Sequence, residues 1–289
     1  PVLWHAPIIE LRDMLTSVHT WNSDVLYLGN SIPATLLPWH YLPVWMAIST
    51  PFVYILFLLP GVIATVRFAL GKETASRRTS ILSQVALGWL VLPPVLQMTS
   101  GITTYDGWRH FFFIYPALVI VSLAGLNATW RWVQRLPLRR VRFLVRCGFL
   151  AVLIGGVSEA VLTLWMLHPH NQVYVNWPAR KLFPNLRHTF ELDYWGVSYR
   201  QGVEHIAAID NRPYIRLAAN SPVVARNAAL LLPSEQRERF EYVEEAQEAD
   251  YFLGNFRWVT DRYPYTNQVW SASFDGTTYA VAYRLDDNN

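Results

Sequence analysis

The chain has a single cysteine, Cys147, in 289 residues. No disulfide can form within it, so its stability comes from packing and not from cross-links. A lone thiol in an apolar run serves as a small packing residue. Charge is scarce as well: Asp, Glu, Lys and Arg make up 16% of residues, against roughly a quarter in soluble domains. There is no glycine-rich phosphate loop, no nucleophile elbow and no His/Cys metal spacing, which excludes P-loop, hydrolase-elbow and zinc-site chemistry. His168 and His170 flank Pro169 without a nearby carboxylate, so no metal centre is expected. A basic leader followed by a short apolar core and a cleavage site is also missing. With Pro1 in first place, the expectation is a piece of a longer polypeptide, with some chemistry-bearing residues upstream.

Apolar and aromatic residues are what the chain has in quantity: 52% hydrophobic, 15% aromatic and 13 Trp, with a mean hydropathy of +0.16. Four apolar stretches of about 18 residues or more follow one another, at about 43–66, 81–98, 111–130 and 147–167. Each is long enough to cross the hydrocarbon core as a helix, and four in series exclude an ordinary buried core. Pro51 and Pro60 are expected to kink the first, and Glu159 interrupts the fourth.

The basic residues sit between these stretches. Arg67, Lys72, Arg77 and Arg78 lie between the first and second, and Arg131, Arg135, Arg139, Arg140, Arg142 and Arg146 between the third and fourth. The loop at 99–110 holds only Arg109. Because positive loops stay cytoplasmic, residues 1–42, the 99–110 loop and everything after 167 are expected to face outward. Residues 1–167 carry a net +6 and 168–289 a net −3. The basic excess therefore follows the membrane segments, and no nucleic-acid partner is expected.

The expected fold is thus an all-α bundle of four transmembrane helices with a small C-terminal α/β domain at 168–289. Within 1–42, Ile8, Leu11, Leu15 and Val18 share one helical face, the spacing of an amphipathic helix at a membrane surface or against the protein's own outer domain. In the C-terminal part, Tyr199–Ile209 and Val223–Leu232 are expected helices, and Tyr214–Ala219 and Ala249–Leu253 expected strands. Val269–Phe274 and Thr277–Leu285 alternate around Asp275-Gly276, a hairpin signal.

Three segments carry a family likeness: PATLLPWHYLPVWMAISTP (Pro33–Pro51), YDGWRHFFFIYPAL (Tyr105–Leu118) and FELDYWGVSYRQGVE (Phe190–Glu204). In sequence and order they resemble the C-terminal half of the dolichyl-phosphate-mannose–protein mannosyltransferase-like family, glycosyltransferases of family 39 with the GT-C architecture. The resemblance implies that these helices are part of a larger GT-C bundle. It also implies an enzyme of the cell membrane that takes a sugar from a polyprenyl-phosphate donor and passes it to a protein, lipid or glycan acceptor on the outer face. In that family the general base is an acidic residue on the first outer loop, which would lie upstream of Pro1, so no catalytic base is assigned here.

Such a transfer needs a carboxylate for the acceptor hydroxyl and cations or hydrogen-bond donors for the departing phosphate. The loop of Tyr105, Asp106, Arg109 and His110 offers the second kind of group, through Arg109 and His110, at the outer end of the third span; an Arg fork suits phosphate, and Asp106 could orient it. Arg109 as an interfacial anchor with Asp106 as its salt-bridge partner is the plainer alternative. Asp106 could otherwise meet the acceptor or a divalent cation; no other cofactor is expected. Glu191, Asp193, Tyr194 and Trp195 combine carboxylates with aromatic rings, as sugar or acceptor contacts do, and a packed junction would use the same residues. Glu159 is expected to be a structural hydrogen-bond partner within the bundle. The competing classes are a multi-pass transporter, against which stands the absence of an internal repeat, and a membrane-anchored scaffold that binds a partner.

Overall fold

The computed structural model describes Ile9 and residues 23–71, 77–100, 103–259 and 261–285. The surface helix expected over Pro7–His19 lies, apart from Ile9, outside the described residues. The chain divides into two compact units, one built from residues 32–162 and 175–182 and the other from 25–31, 163–174 and 183–289.

The first unit is helical, and four of its helical segments are long and apolar enough to cross a membrane. Where one kinked span was expected at 43–66, the chain forms two helices, α1 (Tyr41–Ser49) and α2 (Phe52–Ala69). Pro51 is the reason: a residue before proline is pushed out of the helical region, and Thr50 is extended at φ −92°, ψ 138°. Pro60, by contrast, stays inside α2. The second span runs through α3 (Arg77–Ser100). The third begins as a 3-10 turn at Arg109–Ile114 and continues as α4 (Tyr115–Gln134), with Pro116 in the first turn where its missing N–H costs nothing.

The fourth span, α5 (Arg139–Leu167), starts eight residues earlier than the apolar run at Cys147. Arg is a good helix former, so Arg139, Arg140, Arg142 and Arg146 extend the helix instead of forming a loop. At 1.5 Å per residue this helix is about 43 Å long, more than a hydrocarbon core of about 30 Å. Its arginine-rich first turns can therefore stand clear of lipid.

Helices α2 and α4 approach closely at two glycines. A Cβ on Gly61 would run into the Val121 carbonyl, and one on Gly125 into the Phe57 carbonyl. Small residues at such crossings let backbones meet, which is how membrane helices associate without a hydrophobic driving force. Ala86 and Leu90 of α3 pack with Ala117, Leu118 and Val121 of α4. A short helix, α6 (Trp177–Leu182), belongs to this unit. Buried Asn176 just before it receives the Ala179 N–H and donates to the Ala47 and Thr50 carbonyls at 2.7 and 2.8 Å. One side chain thus caps the start of α6 and answers carbonyls left open at the end of α1.

The second unit is a small α/β sheet. Its strands are β3 (Ile215–Ala219), β4 (Phe240–Tyr242), β5 (Tyr251–Gly254), β6 (Gln268–Phe274) and β7 (Thr277–Arg284), in spatial order β4-β3-β5-β7-β6. β3 pairs parallel with β4 and β5, and β7 pairs antiparallel with β5 and β6. Helices α7 (Tyr199–Ile209) and α8 (Pro222–Ala229) belong to the core on one face. Tyr199, Val203 and Ile206 pack with Ile215, Leu217 and Leu253. Gly202 allows the close fit, since a Cβ there would lie 2.5 Å from Leu253 and 3.2 Å from Trp270. The hairpin turns at Asp275-Gly276, with φ 47° and 79°, the doubly positive pair a two-residue primed turn requires. A further hairpin, β1 (Asp24–Tyr27) and β2 (Asn30–Pro33), lies within the 1–42 segment, after the surface helix expected over Pro7–His19. It turns through Leu28 and Gly29 at φ 50° and 82°.

Candidate functional site

The Tyr105–His110 loop is held by one face of α1. Tyr41, Trp45 and Ser49 recur every four residues and so share a side of the helix. The Gly107 N–H donates to the Tyr41 hydroxyl at 3.1 Å, and the Trp108 indole N–H donates to Ser49 Oγ at 2.7 Å. Ser49 in turn donates to the Trp45 carbonyl at 2.6 Å. A Cβ on Gly107 would sit 3.6 Å from the Trp45 ring, and its φ of 69° favours glycine. Two of the family-like segments, Pro33–Pro51 and Tyr105–Leu118, therefore meet in the same unit and fix one loop.

Inside that frame Asp106, at φ 55° and only 3% exposed, receives Arg109: Nη2 lies 3.1 Å from Oδ2. The Arg109 guanidinium also lies over the Tyr105 ring, 4.8 Å from its centroid, and Tyr105 meets His110 edge-on at 4.9 Å. The four residues singled out from sequence are thus brought together. Arg109 keeps 24% of its side chain exposed. The arrangement presents a fixed cation at the head of the α4 segment, oriented by a carboxylate and an aromatic face. Such a group can bind an oxyanion with little reorganisation.

The second group is placed differently. Glu191 is buried in the sheet unit, 3.9 Å from Arg257 Nε, and the Arg257 guanidinium reaches the Tyr194 carbonyl at 2.6 Å. Asp193, 1% exposed, accepts from Gln172 at 2.8 Å, from the Val197 N–H at 3.0 Å, and from both the backbone and hydroxyl of Ser198. Burial pushes its carboxyl up to about 6, against the pull of those hydrogen bonds. Tyr194 is buried beside Trp195, their rings 5.5 Å apart.

Of the four, only Trp195 is well exposed, at 45%. It lines an open cleft of about 550 Å³ with His168, Arg200, Gln201, Glu204 and Asn227. Arg200 and Glu204 pair across one helical turn at 2.8 Å. An exposed indole beside amide, guanidinium and carboxylate groups can stack on a sugar ring and hydrogen-bond its hydroxyls. Trp195, Arg200 and Glu204 all lie in the Phe190–Glu204 segment, but that they line one cleft has no signal in the sequence.

Two further partners had no sequence signal. Arg180 of α6 meets Glu159 of α5 at 3.2 Å and donates to the Val175 carbonyl, so the carboxylate in the fourth span is ion-paired. His170 is buried with Nδ1 2.8 Å from the Tyr279 hydroxyl, and burial, then His168, lowers its pKa. Among the described residues no group of three or more His, Cys, Asp or Glu could hold a metal ion. Compared with known proteins, the chain matches no family model, no curated protein and no solved structure.

Proposed function

We propose that this chain is the C-terminal part of an integral-membrane glycosyltransferase of the GT-C type, mannosyltransferase-like in family. It would transfer a sugar from a polyprenyl-phosphate donor to a protein, lipid or glycan acceptor on the outer face of the cell membrane. The observation that carries the reading is Arg109, held by Asp106 and Tyr105 in a loop that α1 fixes. A lipid phosphate leaving a sugar needs such a preplaced cation. Support also comes from the three family-like segments, two of which build that loop and its frame. With both arginine-rich sets of helix ends cytoplasmic, the Arg109 loop and the C-terminal sheet unit would face outward. The Trp195 cleft then offers a surface for a sugar or acceptor.

The test uses the full-length protein and a synthetic polyprenyl-phosphate sugar. Removing the Arg109 guanidinium deletes a charge-assisted contact worth about 1.5–3 kcal/mol, so Arg109→Ala should raise the donor KM about tenfold or more. Arg109→Lys should restore part of it. Because Arg109→Ala leaves Asp106 buried without its cation, the same change is made with Asp106→Asn to keep the loop neutral. Unaltered transfer kinetics in both variants would return Arg109 to a role as an interfacial anchor.

A further inference from the structure

Away from the Arg109 loop, α2 and α4 form a second feature. Their backbones meet at Gly61 and Gly125, and each helix then continues for roughly two turns to its C-terminal end. Between these ends lies an open groove of about 430 Å³. Ile63, Ala64 and Ala128 form part of its aliphatic wall, and Arg67, Arg131 and Arg135 line it from the last turns of the two helices and the residue after α4. Exposed Trp132 and the Asn127 amide complete it, and among the described residues no acidic side chain is in its lining.

We propose that this groove binds an anionic phospholipid of the bilayer, one acyl chain lying along the aliphatic wall and the phosphate held among the three guanidinium groups. The chemistry is complementary at both ends. Arginine forks match phosphate oxygens, and basic pockets between membrane helices on the cytoplasmic side suit anionic head groups. Topology alone asks only for arginines near the helix ends. It does not ask for a concave apolar wall leading to them, and here the glycine crossing supplies one. The site is separate from the donor loop and stands without the glycosyltransferase reading.

The experiment uses the full-length protein in detergent micelles doped with phosphatidylglycerol or phosphatidylcholine. Retained lipid is measured by native mass spectrometry and stability by thermal unfolding. Phosphatidylglycerol should be retained in preference and raise Tm. Arg131→Gln combined with Arg135→Gln should weaken its retention about tenfold or more. Ala128→Phe, which fills the groove and keeps every arginine, should weaken it as well. Arg140→Gln, on the exposed start of α5, removes one charge outside the groove and should leave retention unchanged. Equal retention of phosphatidylcholine, wild-type retention by Ala128→Phe, or displacement of the lipid by millimolar inorganic phosphate would each overturn the proposal.

Discussion

Burial of the Asp193 carboxyl among Gln172, Val197 and Ser198 gives the sheet unit a pH dependence opposite to that of an ion-paired acid. The folded group titrates at about 6, whereas an unfolded Asp titrates near 3.9. Below about pH 4 both forms are protonated and the group is neutral toward stability. Between about 4 and 6 the unfolded chain releases its proton first, so stability falls as pH rises, by roughly 3 kcal/mol once the pH is above 6. Asp210 behaves the other way. Its hydrogen bonds to Arg212 hold it down to about 2, so its contribution is present above about pH 4 and lost as pH falls toward 2. The two windows do not overlap. Asp193→Asn should therefore flatten the fall in unfolding temperature from pH 4 to 7, followed by tryptophan fluorescence, and leave the acid limb near pH 3 in place. A variant with the wild-type slope between pH 4 and 6 would show that this carboxyl ionises as freely folded as unfolded. None of this was legible in FELDYWGVSYRQGVE, where Glu191 and Asp193 look alike. Their separate fates are set by Arg257 and Gln172, brought in from elsewhere in the sequence.

At the level of elements, the glycine pair on α2 and α4 makes a sharp demand. Leu at Gly125 would have to displace the Phe57 carbonyl and the Gly61 backbone, and overpacking of this kind costs typically 1–3 kcal/mol or more. Gly125→Leu should lower the unfolding free energy, measured in a graded detergent titration, by an amount in that range. Gly88→Ala on α3, where a Cβ meets nothing within 4 Å, should be neutral or slightly stabilising. Equal effects at the two positions would mean that the crossing is loose.

Elements whose signal is local were legible. Tyr199–Ile209 carries its apolar residues on one helical face, and Asp275-Gly276 is turn chemistry in two letters. Elements that depend on distant partners were not. Leu28 gives no turn signal although it sits at φ 50°, and the three-residue β4 exists because β3 offers it an edge. The break at Thr50 follows from Pro51, which within so continuous an apolar run signals from sequence only a kink. The consequence bears on the candidate site: freed from the first span, α1 becomes the element that grips the Arg109 loop through Tyr41 and Ser49.

For the whole molecule, the decisive quantity is which side of the membrane each unit faces. On the proposed reading, the arginines at the ends of the four candidate spans would put the turn between α4 and α5 inside and the sheet unit outside by the positive-inside rule. The proposed donor chemistry depends on this, because a polyprenyl-linked sugar used on the outer face cannot meet an Arg109 loop that faces the cytoplasm. These 289 residues hold one cysteine, Cys147, which is removed for the test together with any others of the full-length protein. In a Cys147→Ser background, exposed Leu138 between α4 and α5 and exposed Glu235 in the sheet unit are replaced by cysteine one at a time. A membrane-impermeant maleimide added to intact cells should label Glu235→Cys, and should label Leu138→Cys only after lysis. Both sites are outside the apolar spans, so poor reactivity within lipid does not confuse the result. The reverse pattern would invert the topology and remove the outward-facing donor loop. Labelling of both sites before lysis would mean that α5, whose apolar window is only 11% buried within the chain, does not cross the membrane at all.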